Sequence, residues 1–334
     1  MKNHSVFIGV DISKLSLDLI GVDRKSNVII NHDKLENKPL AIKKVFKKVV
    51  KKYNTDNVIV VFENTGIYGT HLALTLFEMG IDYCQLSALE IYKSSGIKRG
   101  KSDKQDALVI AQYAISNYFK LTLSSITQER ITQLKLLHTQ REKIVKALVQ
   151  FQNNKEYNNF YTKQQLKELN RTNNSIVKNL KKNLKLIDAQ LLVVINEDEN
   201  LKRDFELTQS IPGVGKQTAI YLLLVTKGFT TFDNARQLAC YAGVAPFPYQ
   251  SGTSINGRNK VHHFADKKLK SLLNMCALTA KKHDYQIKEY YERKVADGKN
   301  KMLVLNNVRN KLLSRVLAVV KRQQPYVNLN KFAA

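Results

Sequence analysis

Four acidic residues stand at places where a basic chain has little obvious need of them. Asp11 closes the apolar run VFIGV, Glu63 closes VIVVF, and Asp103 and Asp106 lie three apart in KRGKSDKQDALVIAQYA. Positions three apart share one side of a helix, so Asp103 and Asp106 set two like charges together unless a cation sits between them. Each acid also has a plain structural use. Strand ends carry turn acids, and Asp103 as an N-cap with Asp106 in the first turn favours the helix dipole, leaving Ala107, Leu108, Ala111, Ala114 and Ile115 as the buried face. Taken together they have a different chemistry, because carboxylates a few ångströms apart raise one another's pKa unless a metal neutralises them. Mg2+ or Mn2+ accepts all-oxygen ligands, and two ions roughly 3.5–4 Å apart stabilise the attacking and leaving oxygens of phosphodiester transfer.

A second group of residues has affinity for phosphate. SIPGVGKQTA has the form of a helix-hairpin-helix turn: Gly213 and Gly215 let the backbone approach an anion, and the free amides before the next helix, with Lys216, attract it. The same turn also serves helix packing. In YQSGTSINGRNK, Ser251 precedes a glycine in a polar stretch that reads as an irregular loop. No His-Asp pair in a triad arrangement activates it. Arg258, Lys260, Lys267 and Lys268 suit a phosphate clamp, or an ordinary basic surface. His262 and His263 are adjacent, a poor geometry for a shared helical metal site, and receive no role.

Convergence of the four acids requires both strands to lie in the centre of one sheet, with their ends at the start of the Asp103 helix. The elements are consistent with this. SVFIGVD, LSLDLIGVD and NVIINH read as an antiparallel meander, followed by helix PLAIKKVFKKVVKKY, buried strand NVIVVFE, helix YGTHLALTLFEMG closed by Gly80, and strand IDYCQL. A mixed sheet covered by helices follows. From about Thr127 to Asn200 the pattern is helical: Leu134, Leu137, Ile144, Leu148 and Phe151 form one stripe, and Leu166, Leu169, Ile176, Leu180, Leu184, Ile187, Leu191 and Val194 another. The Asn-rich QNNKEYNNFYTK between them predicts a long antiparallel hairpin. The last third reads as mostly helical.

The 334 residues carry 54 Lys and Arg against 28 Asp and Glu, a net charge of +26. A polyanion is the expected partner. The apolar runs are too short to span a membrane, and the N-terminus has no signal-peptide hydrophobic region, so a soluble cytoplasmic protein is expected. Cys84, Cys240 and Cys276 are odd in number and widely spaced, as reduced structural thiols are.

IGVDISK, VFENTGIYG and KRGKSDKQDALVIAQYA together resemble the three blocks of the DEDD-type transposases of bacterial insertion sequences, the insertion sequence 110 family. The resemblance implies a ribonuclease-H-like (RuvC-like) N-terminal domain in which Asp11, Glu63, Asp103 and Asp106 are a catalytic, metal-binding tetrad. Ser102 stands where threonine is expected more often. Residues 205 to 320 are similar to the second conserved domain of the same family, which implies that Ser251 is a catalytic serine, with Ser254 in reserve. The implied organisation is a DEDD domain over 1–124, a helical hairpin over 125–204 and a serine-bearing transposase domain over 205–334.

The activity implied by the resemblance is that of a recombinase that excises and inserts its own element, guided by a structured non-coding bridge RNA that pairs with donor and target DNA. A homo-oligomer is implied too, a dimer assembling to a tetramer, in which the tetrad of one subunit meets the serine of another, at work on the bacterial nucleoid. Two other readings are open. A RuvC-like junction endonuclease would use the tetrad for hydrolysis and Ser251 as a turn. A non-catalytic nucleic-acid-binding protein would use the four acids as caps and turns.

Overall fold

The computed structural model describes residues 3–88, 90–91, 102–124, 129–152, 157–252 and 255–327. The chain divides into two compact units, Met1–Ile126 and Thr127–Ala334.

In the first unit, β1 (Val6–Ile12), β2 (Ser16–Asp23) and β3 (Val28–Glu36) form the expected meander. It is followed by α1 (Pro39–Tyr53), β4 (Val58–Glu63), α2 (Thr70–Glu78), β5 (Asp82–Leu86) and α3 (Asp103–Ser116). The sheet order is β3-β2-β1-β4-β5. β1 pairs antiparallel with β2 and parallel with β4, so the two strands that end in Asp11 and Glu63 are central neighbours. This is the mixed, ribonuclease-H-like sheet that the resemblance implied.

Alternation along the strands sorts the side chains between two cores. Val6, Ile8, Val10, Val58, Val60 and Phe62 pack on Ile42 and Phe46 of α1 and Leu72 and Leu76 of α2. Phe7, Ile20, Val22, Ile59 and Val61 turn the other way, onto Ala107, Ile110, Ala111 and Ala114 of α3. The alanines let α3 approach closely. A Cβ on Gly9 would lie 2.1 Å from the Ala107 carbonyl oxygen and 2.5 Å from the Ala111 nitrogen, so only glycine fits at the centre of β1.

The second unit opens with α4 (Glu129–Gln152) and α5 (Lys167–Asn196). Arg130 pairs with Glu197 at 2.5 Å and Arg141 with Asp188 at 2.7 Å, an antiparallel match. The predicted stripes are buried near the base, at Leu134, Ile144, Ile187, Leu191 and Val194, where they share a core with Leu201, Phe205 and Leu223. Farther out, Phe151 and Leu169 are exposed. α6 (Glu199–Gln209), α7 (Lys216–Val225) and α8 (Ala235–Tyr241) follow. Then come β6 (Pro246–Ser251), β7 (Ile255–Val261), α9 (Lys267–His283), α10 (Tyr285–Ala296) and α11 (Lys301–Arg322).

The antiparallel β6–β7 pair corrects the expectation of an irregular loop. Its outer residues, including Phe247, Tyr249, Asn256 and Lys260, are exposed, so no apolar alternation marks it, and its prolines are tolerated because the ribbon has only two strands. All three cysteines are free. No helix among the described residues is long and apolar enough to cross a membrane.

Candidate functional site

Residues 7, 9 and 11 of β1 face α3, and the close approach at Gly9 therefore fixes where Asp11 meets the start of that helix. Ala107 sits over Gly9; Asp106 and Asp103 precede it by one residue and by one turn. Glu63 shares the face with Ile59 and Val61. The β1–β4 pairing extends to Val10 opposite Phe62, and the next residues on the two strands are Asp11 and Glu63. The fold thus brings Asp11, Glu63, Asp103 and Asp106 to one face and one end of the sheet.

The helix start differs in detail from the sequence expectation. Ser102 is the N-cap, with its Oγ accepting from the Gln105 N–H at 3.3 Å, and Asp103 is the first helical residue. Both acids remain in the first turn, where the helix dipole favours them. Their charge is felt across the gap: burial, and then Asp106 and Asp103, push the Asp11 carboxyl above its ordinary value, against a backbone hydrogen bond from Ile12.

Sequence reasoning missed a further part of this face. Asp18 lies directly opposite Asp11 in the β1–β2 register, and Lys34 lies directly opposite Asp18 in the β2–β3 register. Lys34, Asp18, Asp11 and Glu63 therefore form a row across four strands. Asp18 is only 2% exposed, and His32 Nε2 lies 2.7 Å from its Oδ1. The signal was an acid at an inward position of β2, in step with the buried Ile20 and Val22; its meaning depended on a register that sequence does not specify.

The donor set is one a hard divalent cation takes, carboxylate oxygens alone. Among the described residues no three His, Cys, Asp or Glu side chains are yet drawn around a common point. The crowding at Asp11 is the observation that matches a cation site, since added positive charge there would relieve it.

In the second unit, Ser251 is the last residue of β6, paired with Ile255 across the end of the ribbon. Gly252 follows at φ +54°, a left-handed turn. Ser254 lies outside the described residues. Arg258 and Lys260 are on β7, and Lys267 opens α9, capped by Asp266. Lys260 and Lys267 are exposed. Lys268 pairs with Glu142 at 2.9 Å and lies 4.5 Å from the centre of the Tyr221 ring. On the ribbon itself, Phe247 and Tyr249 are exposed, with the Arg236 guanidinium 5.4 Å from the Phe247 ring centre.

The two glycines of SIPGVG have different surroundings. Gly213 has φ +93°, and a Cβ there would lie 2.7 Å from the Cys276 carbonyl oxygen and 2.8 Å from the Ala280 nitrogen, so packing against α9 accounts for it. Gly215 has open space and is the N-cap of α7, beside the exposed Lys216. The half of the turn left open to a ligand is therefore Gly215 and Lys216.

Two family models match this chain in series. A transposase model, of the DEDD type of IS110, covers residues 8–157, and one described as "Transposase IS116/IS110/IS902 family" covers residues 206–292. The chain belongs to the IS110 family of transposases. As an IS110-family protein it is a DNA transposase/recombinase, with all four acids of the sheet face inside the first match and Ser251 inside the second. The "Pilin gene-inverting protein" of Moraxella lacunata is 29% identical over 324 residues, 96% of this chain and 97% of that protein, and that of Moraxella bovis 28% identical over the same shares. The "Insertion element IS110 uncharacterized 43.6 kDa protein" of Streptomyces coelicolor is 34% identical over 34% of this chain and 27% of its own length. Among solved structures, Thermus thermophilus RuvC in complex with a Holliday junction substrate matches at a TM-score of 0.30 and 13% identity, over 36% of this chain and all of that one.

Proposed function

We propose that this transposase excises and inserts an insertion sequence by attack of Ser251 on a DNA phosphodiester, at a site completed by Asp11, Glu63, Asp103 and Asp106. The observation that carries the reading is the convergence of these four acids on one face of the sheet, with the Asp11 carboxyl pushed up by burial first and then by Asp106 and Asp103. Asp11, Glu63, Asp103 and Asp106 would hold Mg2+ or Mn2+, which supplies charge neutralisation at the attacking and leaving oxygens.

In the proposed step the Ser251 Oγ–P bond forms as the bond from phosphorus to one deoxyribose oxygen breaks. The serine proton departs, and the released sugar oxygen leaves as a hydroxyl. The phosphoserine link keeps the bond energy, so a hydroxyl of another strand can reverse the step and exchange strands without an external energy source. Gly215, Lys216, Arg258, Lys260 and Lys267 hold the DNA backbone, and Lys268 does so only on release from Glu142. Guidance by a structured RNA, and a dimer-based tetramer in which one subunit's tetrad meets another's serine, are carried by the family resemblance and suit the net charge of +26. The working division is a catalytic part over 1–124, a helical hairpin over 125–204 and a serine-bearing part over 205–334.

A second reading has its own support: relatives matching 96% of the chain carry the name of gene-inverting proteins. Inversion uses the same strand exchange on a differently arranged pair of sites. Purified protein incubated with DNA of the element's ends, Mg2+ and the flanking transcript should form a protein–DNA adduct through serine that is lost in both Ser251→Ala and Asp11→Ala. An adduct that persists without Ser251 overturns the serine assignment, and hydrolytic cleavage with no adduct favours the junction endonuclease. Unchanged activity in Asp11→Ala favours a non-catalytic acid cluster. Paired sites in inverted against direct orientation separate inversion from excision.

A further inference from the structure

We propose that Lys34 is a built-in counter-cation of the acidic face, one that competes with a divalent ion for Asp103 and thereby sets how tightly the ion binds. The inference rests on the metal-binding reading of the tetrad given above.

The Lys34 ammonium lies 3.6 Å from Asp18 Oδ2 and 3.6 Å from Asp103 Oδ2. It bridges a buried carboxylate of β2 and the first residue of α3, two groups far apart in sequence. The two halves of the bridge have different surroundings. Asp18 is sealed from water, its side chain 3% exposed, and a carboxylate so placed requires partners, which are His32 and Lys34. Asp103 is 59% exposed and Lys34 55%, so their pairing is screened and readily given up.

That difference gives the bridge a direction. When a divalent ion takes Asp103, the ammonium retains Asp18 as its anchor and stays within a few ångströms of the ion. The β1–β2–β3 row keeps Lys34 at this position through backbone pairing, with Asp11 opposite Asp18 and Asp18 opposite Lys34. A fixed positive charge so close to the site opposes a second one. Before the ion arrives the same charge offsets part of the repulsion among the acids.

The test is calorimetric titration of MnCl2 into the full-length protein without DNA, so that binding is read apart from activity. Lys34→Met and Lys34→Gln are both expected to bind Mn2+ at least threefold more tightly than the unaltered chain, with Lys34→Arg close to it. Far-ultraviolet circular dichroism confirms that the variants are folded, and agreement between Met and Gln excludes an effect of side-chain shape. Equal or weaker binding in both neutral variants overturns the proposal. Asp11→Asn separates the two levels. If it abolishes Mn2+ binding while the Lys34 variants bind as the unaltered chain does, only the Lys34 role is lost. If Asp11→Asn binds normally, the tetrad reading fails and the Lys34 proposal with it.

Discussion

Gly9 of β1 and Ala107 of α3 are in such close contact that a Cβ on Gly9 would stand 2.1 Å from the Ala107 carbonyl oxygen. Gly9→Ala must therefore push α3 away from the sheet, and with it Asp103 and Asp106. The expected cost is about 3 kcal/mol, that of overpacking a core with backbone on the opposing side, seen as a lowered urea midpoint. Strand transfer should fall further than the folded fraction does, because the acids separate even in molecules that remain folded. Unfolding and activity lost in strict proportion would show that Gly9 serves packing alone.

Asp11→Asn should reduce strand transfer at least about 1,000-fold, equivalent to about 4 kcal/mol of transition-state stabilisation. In metal-free buffer near pH 7 the same variant should unfold at a higher temperature. The sign follows from the raised carboxyl: the native state holds the Asp11 proton more tightly than the unfolded chain does. The cost of the ionised form is full above the raised value and disappears as pH falls through it towards 3.8. The gain in Asn should shrink over that interval, measured by thermal unfolding in chelator. A variant less stable than the unaltered chain at neutral pH would refute the crowding.

Gly213 and Gly215 separate packing from phosphate contact in one turn. Gly213→Ala combines a positive φ of +93° with contact on Cys276 and Ala280, and should cost about 3 kcal/mol. Gly215→Ala meets open space at an N-cap and should cost at most about 1 kcal/mol. Removing the charge with Lys216→Gln should leave stability unchanged and lower the salt dependence of DNA binding by about one counterion. Filter binding across a salt series reads this directly; an unaltered slope would remove Lys216 from the interface.

The acidic face was legible in outline because its residues end strongly patterned elements. VFIGV and VIVVF are apolar runs that break at an acid, and α1 runs over the whole of PLAIKKVFKKVVKKY. What escaped was set by pairing across strands. Asp18 alternates correctly but shows its place beside the four acids only once β2 is registered on Asp11, and Lys34 only once β3 is registered on Asp18. The β6–β7 ribbon escaped for another reason: exposed on its outer positions, it carries no apolar period, while Gly257 packs under Tyr249 where a Cβ would lie 2.7 Å from the ring. The packing of Gly213 on α9 and the pairing of Lys268 with Glu142 are tertiary contacts, which glycine and lysine next to a helix start do not announce in the sequence.

His138 should make the second unit sensitive to mild acid. Its side chain lies in α4, 6% exposed, with Nε2 3.3 Å from the Lys268 ammonium and its ring 5.5 Å from that of Tyr221. Burial, then Lys268, lower its pKa to about 4, with Glu142 opposing and Arg141 assisting. The unfolded chain takes up the proton near 6.5, so the stability held above that pH is lost progressively as pH falls from 6.5 towards 4. Between pH 7 and 5.5 the loss from this group should be about 1 kcal/mol. His138→Gln removes the titration while keeping a side chain of similar reach, so its urea midpoint should change less over the same interval than that of the unaltered chain. The difference between the two pH responses isolates His138 from the other histidines. Equal shifts in the two proteins would mean that the imidazole accepts its proton in place, with the Lys268 ammonium moving away from it.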